Sequence, residues 1–253
     1  MISIVQLGTV DYATALRLQQ SLVEMRKTGQ IGDTLLLLEH SPAITLGRNA
    51  KRQHLLASPD LLEREGVEVF ECDRGGDVTF HGPGQLVGYP IFDLREFQPK
   101  IGAVEFVRRM EQVLIRTCAD FGVATQPLPK LTGVWTSDGA RPAKIAAIGV
   151  HISRGVTSHG FALNVNTDLR YFDLIVPCGI SSRPVTSMRK ELKQALPLVD
   201  VAKSVGRYFG EIFASDIQWT STLDALFGRT VGVPLKIPEE LRQLHAEQDV
   251  FLA

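Results

Sequence analysis

The stretch KIAAIGVHISRGVTSHGFALNVN, residues 144–166, decides how this chain folds. Two runs rich in apolar and β-branched residues flank Arg154-Gly155, a two-residue connection of the kind that closes an antiparallel hairpin, so a crossover is not expected there. Upstream, DTLLLLEH (33–40) reads as a short buried strand, Ser41-Pro42 as a turn, and AITLGR (43–48) as a second extended piece. VEVFEC (67–72) and DVTFHGPGQLVGYPIFDL (77–94) supply further strands around a glycine-rich turn. Consecutive strands of this kind point to an α+β fold with a mixed, largely antiparallel sheet and flanking helices. A Rossmann-type sheet needs strands and helices in regular alternation, and that rhythm is missing.

Four segments carry helical periodicity. DYATALRLQQSLVEMRKTG (11–29) has Asp11 as N-cap, Ala15, Leu18, Leu22 and Met25 on one stripe, and Gly29 as the stop. GAVEFVRRMEQVLIRTCADFG (102–122) is expected to lie across the sheet on a stripe of Val104, Val107, Leu114, Cys118 and Phe121, with Gly122 just past its end. From about Leu198 the chain turns helical again, and Pro238 opens a last short amphipathic helix, PEELRQLHAEQ. No linker rich in Pro, Gly or Ser marks a domain boundary.

The composition excludes several function classes. With 253 residues, 44% of them hydrophobic, the chain is long enough to bury a sizeable core, and disorder is not the main story. Lys+Arg at 27 against Asp+Glu at 28 gives a net charge of -1, so bulk attraction to nucleic acid or an anionic membrane is not on offer. No stretch approaches the roughly 20 apolar residues that cross a bilayer. Cys72, Cys118 and Cys178 form no C-x-x-C pair, which argues against a disulfide scaffold and a structural zinc site and fits a reducing cytoplasm. The first residues lack a basic start followed by a sustained apolar segment, as a secretory signal requires.

Chemistry concentrates in two places. RGGDVTFHGPGQ (74–85) packs four glycines, a guanidinium and an imidazole into one strand-turn-strand region. Glycine lets backbone N–H groups approach a ligand and Arg74 adds a fixed charge. The spacing is neither a Rossmann nor a Walker fingerprint, and its bland reading is a hairpin with tight turns. The second place is Cys178, presented between Pro177 and Gly179, whereas Cys118 and Cys72 read as small buried hydrophobes. Lys144 reads by itself as a solvated strand end; beside a thiol, its ammonium would favour the thiolate. His151 and His159 flank the same hairpin and are the alternative partners.

In order along the chain, LLLLEHSPAITLGR (35–48), RGGDVTFHGPGQLVGYPIFDL (74–94), KIAAIGVHISRGVTSHGFALNVN (144–166) and VPCGI (176–180) resemble the lipoyl(octanoyl) transferase family. Members of that family move an octanoyl group from acyl carrier protein to a lysine of a lipoyl domain. The resemblance implies the α+β catalytic fold shared with biotin and lipoate protein ligases, with Cys178 as the acyl-carrying nucleophile and Lys144 as its activating neighbour. It places the acyl site along Arg74, Gly75, Gly76, Asp77, Val78, Thr79, Phe80 and His81, with Ala147, Ile148 and Gly149, and Gly160, Phe161 and Ala162. Residues 1–215 are then the catalytic domain and 216–253 an extension packed on it.

The implied partners are octanoyl-acyl carrier protein and the lipoyl domains of 2-oxo acid dehydrogenases and of the glycine cleavage H protein. Nucleic acid, membrane, metal and cofactor are not called for, and the implied location is the cytoplasm. The donor thioester is already activated, so a Cys178 thiolate exchanges one thioester for another without ATP. Lys144 is the implied relay for the proton of the incoming lysine. Both partners are acidic, which makes Arg48, Lys51 and Arg52, with Arg183, Arg189 and Lys190, a candidate basic lip. The competing readings are an ATP-dependent lipoate or biotin protein ligase, a cysteine hydrolase using His151 or His159, and a non-catalytic acyl-binding protein.

Overall fold

The computed structural model describes residues 1–137, 141–177 and 183–220. Its strands are β1 (Ile2–Val10), β2 (Asp33–His40), β3 (Ala43–Leu46), β4 (Glu68–Glu71), β5 (Val78–His81), β6 (Gln85–Ile91), β7 (Thr125–Leu128), β8 (Leu131–Thr136), β9 (Lys144–Ser153), β10 (Val156–Asn164) and β11 (Ile217–Thr220). Its helices are α1 (Tyr12–Lys27), α2 (Pro59–Arg64), α3 (Ala103–Asp120), α4 (Met188–Leu192) and α5 (Leu198–Phe213).

An eight-stranded sheet runs in the order β11-β1-β2-β6-β10-β9-β8-β7, and a smaller sheet in the order β4-β3-β5. In the large sheet β1 pairs in parallel with β2 and β11, and the other pairings are antiparallel. The α+β expectation with a mixed, largely antiparallel sheet is met. The hairpin is also as expected: Arg154 (φ 51°) and Gly155 (φ 88°) both take left-handed backbone between β9 and β10, the geometry of a tight two-residue turn.

The leucine run of β2 explains how the layers form. Leu35 and Leu37 join the cluster under α3 and α5, while Leu36 and Leu38 join the cluster under α1, so alternate side chains serve opposite faces and both faces are covered. Asp11 caps α1 by accepting from the Thr14 N–H at 2.8 Å. A third cluster, with Ile44, Val78, Phe80 and Phe172, holds the small sheet onto the turn Leu169–Leu174.

Four expectations need correction or a boundary. Val104 is 76% exposed; the buried face of α3 is centred on Phe106, Met110, Val113 and Thr117, and Val104 lies two residues, about 200°, round from Phe106. The glycine-rich turn does not close a hairpin, because β5 pairs with β3 in the small sheet while β6 runs between β2 and β10 in the large one. Cys72 is half-buried and follows the largely exposed strand β4, in contrast to the fully buried Cys118. Residues 217–220 form β11 against β1, so the end of the described chain is a strand of the main sheet; the Pro238 segment lies outside the described residues.

Candidate active site

A cavity of about 280 Å³ opens between the two sheets. Arg74 to Asp77 form one wall, and their loop is pinned from two sides: Gly47, Arg48 and Asn49 donate backbone hydrogen bonds to Asp77, Arg74 and Gly76, and Gly75 donates to the Val150 carbonyl at 2.9 Å. The opposite wall is the hairpin, where Ala147 stands across from Ala162, Ile148 from Phe161 and Gly149 from Gly160. The two arms of the hairpin thus present one apolar strip. Gly149 is required here by close approach: a Cβ on it would sit 2.6 Å from the Gly75 carbonyl oxygen.

Arg74 is 8% exposed and spends its donors on neutral oxygens, the Thr45 carbonyl (2.7 Å) and hydroxyl (2.9 Å) and its own neighbour Gly75. Among the described residues no carboxylate pairs with it, and it lines the cavity, where a positive charge suits an electron-rich oxygen. Asp77 accepts from the Val78 N–H (2.8 Å) and is paired with His54 at 2.7 Å.

The inner end of the cavity is a wall of rings from separate elements: Tyr12, His81, Tyr89 and His159 line it, and His40 stands behind. His40 Nδ1 donates to the Val10 carbonyl at 2.7 Å, so its Nε2 accepts from the Tyr89 hydroxyl at 2.6 Å. Burial keeps this ring neutral, pushing its pKa down to about 4. Burial, with His40 and Arg74 nearby, also depresses His81, and burial depresses His159 despite its 2.7 Å contact with Asp73. These imidazoles are therefore neutral donors and acceptors at pH 7. Burial, with Tyr89 and the Cys72 thiol nearby, also raises the pKa of Tyr12.

Lys144 lines the same cavity and is 8% exposed, so the solvated strand end is not what forms. Its backbone N–H donates to the Pro184 carbonyl (2.8 Å) and its carbonyl accepts from Thr186 N–H (2.9 Å), in a parallel bridge with Val185. The chain just after residues 178–182 is thereby tied to the start of β9. A buried amide relay supports the tie: His81 Nδ1 donates to Gln85, Gln85 Nε2 to Asn164 Oδ1 (2.9 Å), and Asn164 Nδ2 to the Thr186 carbonyl (3.0 Å).

Of the residues expected at the acyl site, Arg74, Gly75, Gly76, Asp77, Thr79 and His81 line the cavity, as do Ala147, Ile148, Gly149, Gly160, Phe161 and Ala162. Val78 and Phe80 do not; they alternate to the other face of β5 and pack in the small-sheet core. Cys178 lies outside the described residues. Sequence reading missed Tyr12, Tyr89 and the segment Lys130 to Thr132, which also line the cavity. Arg48, Lys51, Arg52, Arg189 and Lys190 are exposed, while Arg183 is half-buried against the ring of Trp135. Among the described residues no group of His, Cys, Asp and Glu has the arrangement of a metal site, and no helix is long and apolar enough to cross a membrane.

Comparison with known proteins agrees with this fold. The family model of the lipoyl protein ligase A/B catalytic domain matches residues 11–210. An octanoyltransferase of Koribacter versatilis is 60% identical over the whole of both chains. One of Acidobacterium capsulatum is 58% identical over 87% of this chain and 93% of its own. Among solved structures, the bipartite lipoate protein ligase of Thermoplasma acidophilum superposes with a TM-score of 0.70 at 17% identity, covering 98% of this chain and 91% of that one, which establishes the shared fold. The chain belongs to the lipoyl protein ligase A/B catalytic domain family and, within it, to the octanoyltransferases, a group of acyltransferases.

Proposed function

We propose that this chain carries an octanoyl group from acyl carrier protein to a lysine of a lipoyl domain, through a thioester on Cys178. The observation that carries the reading is the placement of Lys144: buried, on an apolar cavity, and bonded through its backbone to Pro184 and Thr186, close in the chain to Cys178. A thiolate at Cys178 attacks the donor thioester, the carrier thiol leaves, and the acyl chain lies along Ala147, Ile148, Phe161 and Ala162. Burying its methylenes contributes about 0.8 kcal/mol each. The acceptor lysine, neutral when it attacks, then displaces Cys178, with Lys144 taking and returning the proton.

A thioester donor already carries the activation that a ligase draws from ATP, and the octanoyltransferase relatives at 47–60% identity favour transfer over ligation. The ligase likeness is one of fold alone at 17% identity. His159 and His151 both point Nε2 at the Asp73 carboxylate, at 2.7 and 3.5 Å, and it is the octanoyltransferase relatives that favour transfer over a Cys-His hydrolase built on either ring. The exposed Arg48, Lys51, Arg52, Arg189 and Lys190 supply the surface for an acidic carrier, and a reducing cytoplasm suits a reaction that needs a free thiol. Residues 1–215 are the catalytic unit in this reading, and β11 extends the edge of its main sheet beside β1.

The test is transfer without ATP. Purified protein, octanoyl-acyl carrier protein and a lipoyl domain give octanoylated domain; Cys178→Ala abolishes the product and Lys144→Met reduces it by at least a hundredfold. A strict ATP requirement, or free octanoate in place of octanoylated domain, refutes the reading.

A further inference from the structure

Two cations share one aromatic ring beside the cavity. Lys144 Nζ lies 4.7 Å from the centroid of the Trp135 ring, and the Arg183 guanidinium carbon lies 5.7 Å from the same centroid. Trp135 is 1% exposed, so its electron-rich face meets these charges largely out of water, where the attraction is strongest.

The ring is held by its surroundings rather than by its own polar group. The indole N–H is buried and makes no hydrogen bond among the described residues. The register between β8 and β9 breaks between Val134 and Trp135, which brings Trp135 directly opposite Lys144. Gly133, at φ 118°, is what allows the break; a Cβ there would meet the Ala146 carbonyl at 2.6 Å and the Lys144 Cε at 3.5 Å. The lysine stem therefore runs over Gly133 to reach the ring. The Gly133 N–H is fixed in turn by Glu111, a carboxylate 1% exposed that also accepts from Arg108 at 2.6 Å.

We propose that Trp135 is a positioning residue for acyl transfer: its ring sets where the Lys144 ammonium sits and registers it against Arg183, the first described residue after 178–182. The proposal rests on the assignment of Lys144 to the transfer reaction. It gives Arg183 a job other than docking, gives buried Glu111 a structural task at Gly133, and makes the electron density of one ring a determinant of rate.

Fluorination tests this, because fluorine withdraws density from the ring face while nearly preserving its shape. In a Trp219→Phe background, which leaves Trp135 as the remaining tryptophan, mono-, di- and trifluorotryptophan are incorporated biosynthetically. Single-turnover acylation by octanoyl-acyl carrier protein is then followed by mass. Acylation slows stepwise with fluorine number, Trp135→Phe falls within the series, and Trp135→Leu is slowest, by at least tenfold, while the fluorinated proteins keep the parent thermal midpoint. An upfield ring-current shift of the Lys144 ε-methylene protons, lost in Trp135→Leu, reads the contact independently of activity. Acylation at one rate across the fluorine series, or an unshifted Lys144 resonance, overturns the role of the ring alone. Absence of acylation in the unsubstituted protein overturns the transfer reading and the ring's role with it.

Discussion

Replacing Asn164 by Leu tests whether the amide relay holds the site together. Asn164 is 3% exposed, accepts from Gln85 Nε2 at 2.9 Å and donates to the Thr186 carbonyl at 3.0 Å. Leucine has a similar shape, so the cost comes from stranded polar groups rather than from a cavity. A buried group left without its partner costs about 1–3 kcal/mol. Gln85 Nε2 keeps a second acceptor, the Phe80 carbonyl at 3.1 Å, so its share falls at the low end. The sum is about 2–4 kcal/mol, read as a lower urea midpoint at unchanged slope. The Thr186 N–H that the relay steadies is bonded to the Lys144 carbonyl, so acyl transfer falls as well. Asn164→Asp gives a pH signature. The neutral acid can donate to the Thr186 carbonyl and the carboxylate cannot, so the folded pKa rises above the unfolded value of about 3.9. Relative to the parent, that variant is most stable below this value and loses ground as pH climbs toward its folded pKa. A change in Asn164→Leu below about 0.5 kcal/mol, the scale of ordinary surface substitutions, would falsify the relay.

Three further outcomes follow from the same geometry. Because burial holds His40 neutral down to about 4, against about 6.5 in an unfolded chain, protons bind the unfolded state first as pH drops through that window. His40 alone then removes about 3 kcal/mol of stability, and the depressed His81 and His159 act in the same direction. A thermal midpoint that stays flat from pH 7 to pH 4 contradicts this. Gly149→Ala drives a methyl into the Gly75 carbonyl and displaces the Arg74–Asp77 loop; acyl transfer drops on the order of a hundredfold with a stability loss of about 1–3 kcal/mol. Parent-level kcat/KM in that variant removes the loop from the reaction. Reversing the charge of exposed Arg48 and Arg52 raises KM for the carrier protein at low salt and leaves kcat intact. An unchanged KM there ends the docking role of that pair.

The parts of the fold legible in sequence are those set by local pattern. The cap at Asp11, the leucine run of β2 and the turn at Arg154-Gly155 each carry their signal within a few residues. Strands β1, β7, β8 and β11 escaped notice because tertiary pairing decides them: β8 contains Gly133 at positive φ, β7 contains Pro127, and β11 is a short edge strand. The glycine-rich turn misled because Gly84, at φ 78°, sends the chain into a different sheet instead of back along β5. At the site, the loops arrived as contiguous blocks, whereas the ring wall is assembled from α1, β2, β5, β6 and β10, and its Tyr12, His40 and Tyr89 carry no local signal. One overlooked signal was available. Glu111 falls among the buried positions of α3, and a charge there asks for a partner, which the structure supplies at Gly133 and Arg108.

The central claim is a covalent octanoyl-enzyme at Cys178, and intact mass spectrometry tests it most directly. Protein mixed with octanoyl-acyl carrier protein in the absence of ATP gains one octanoyl group that hydroxylamine removes, that a lipoyl domain discharges, and that Cys178→Ala never acquires. An adduct mapping to another residue, or one that forms only when ATP is added, contradicts the account.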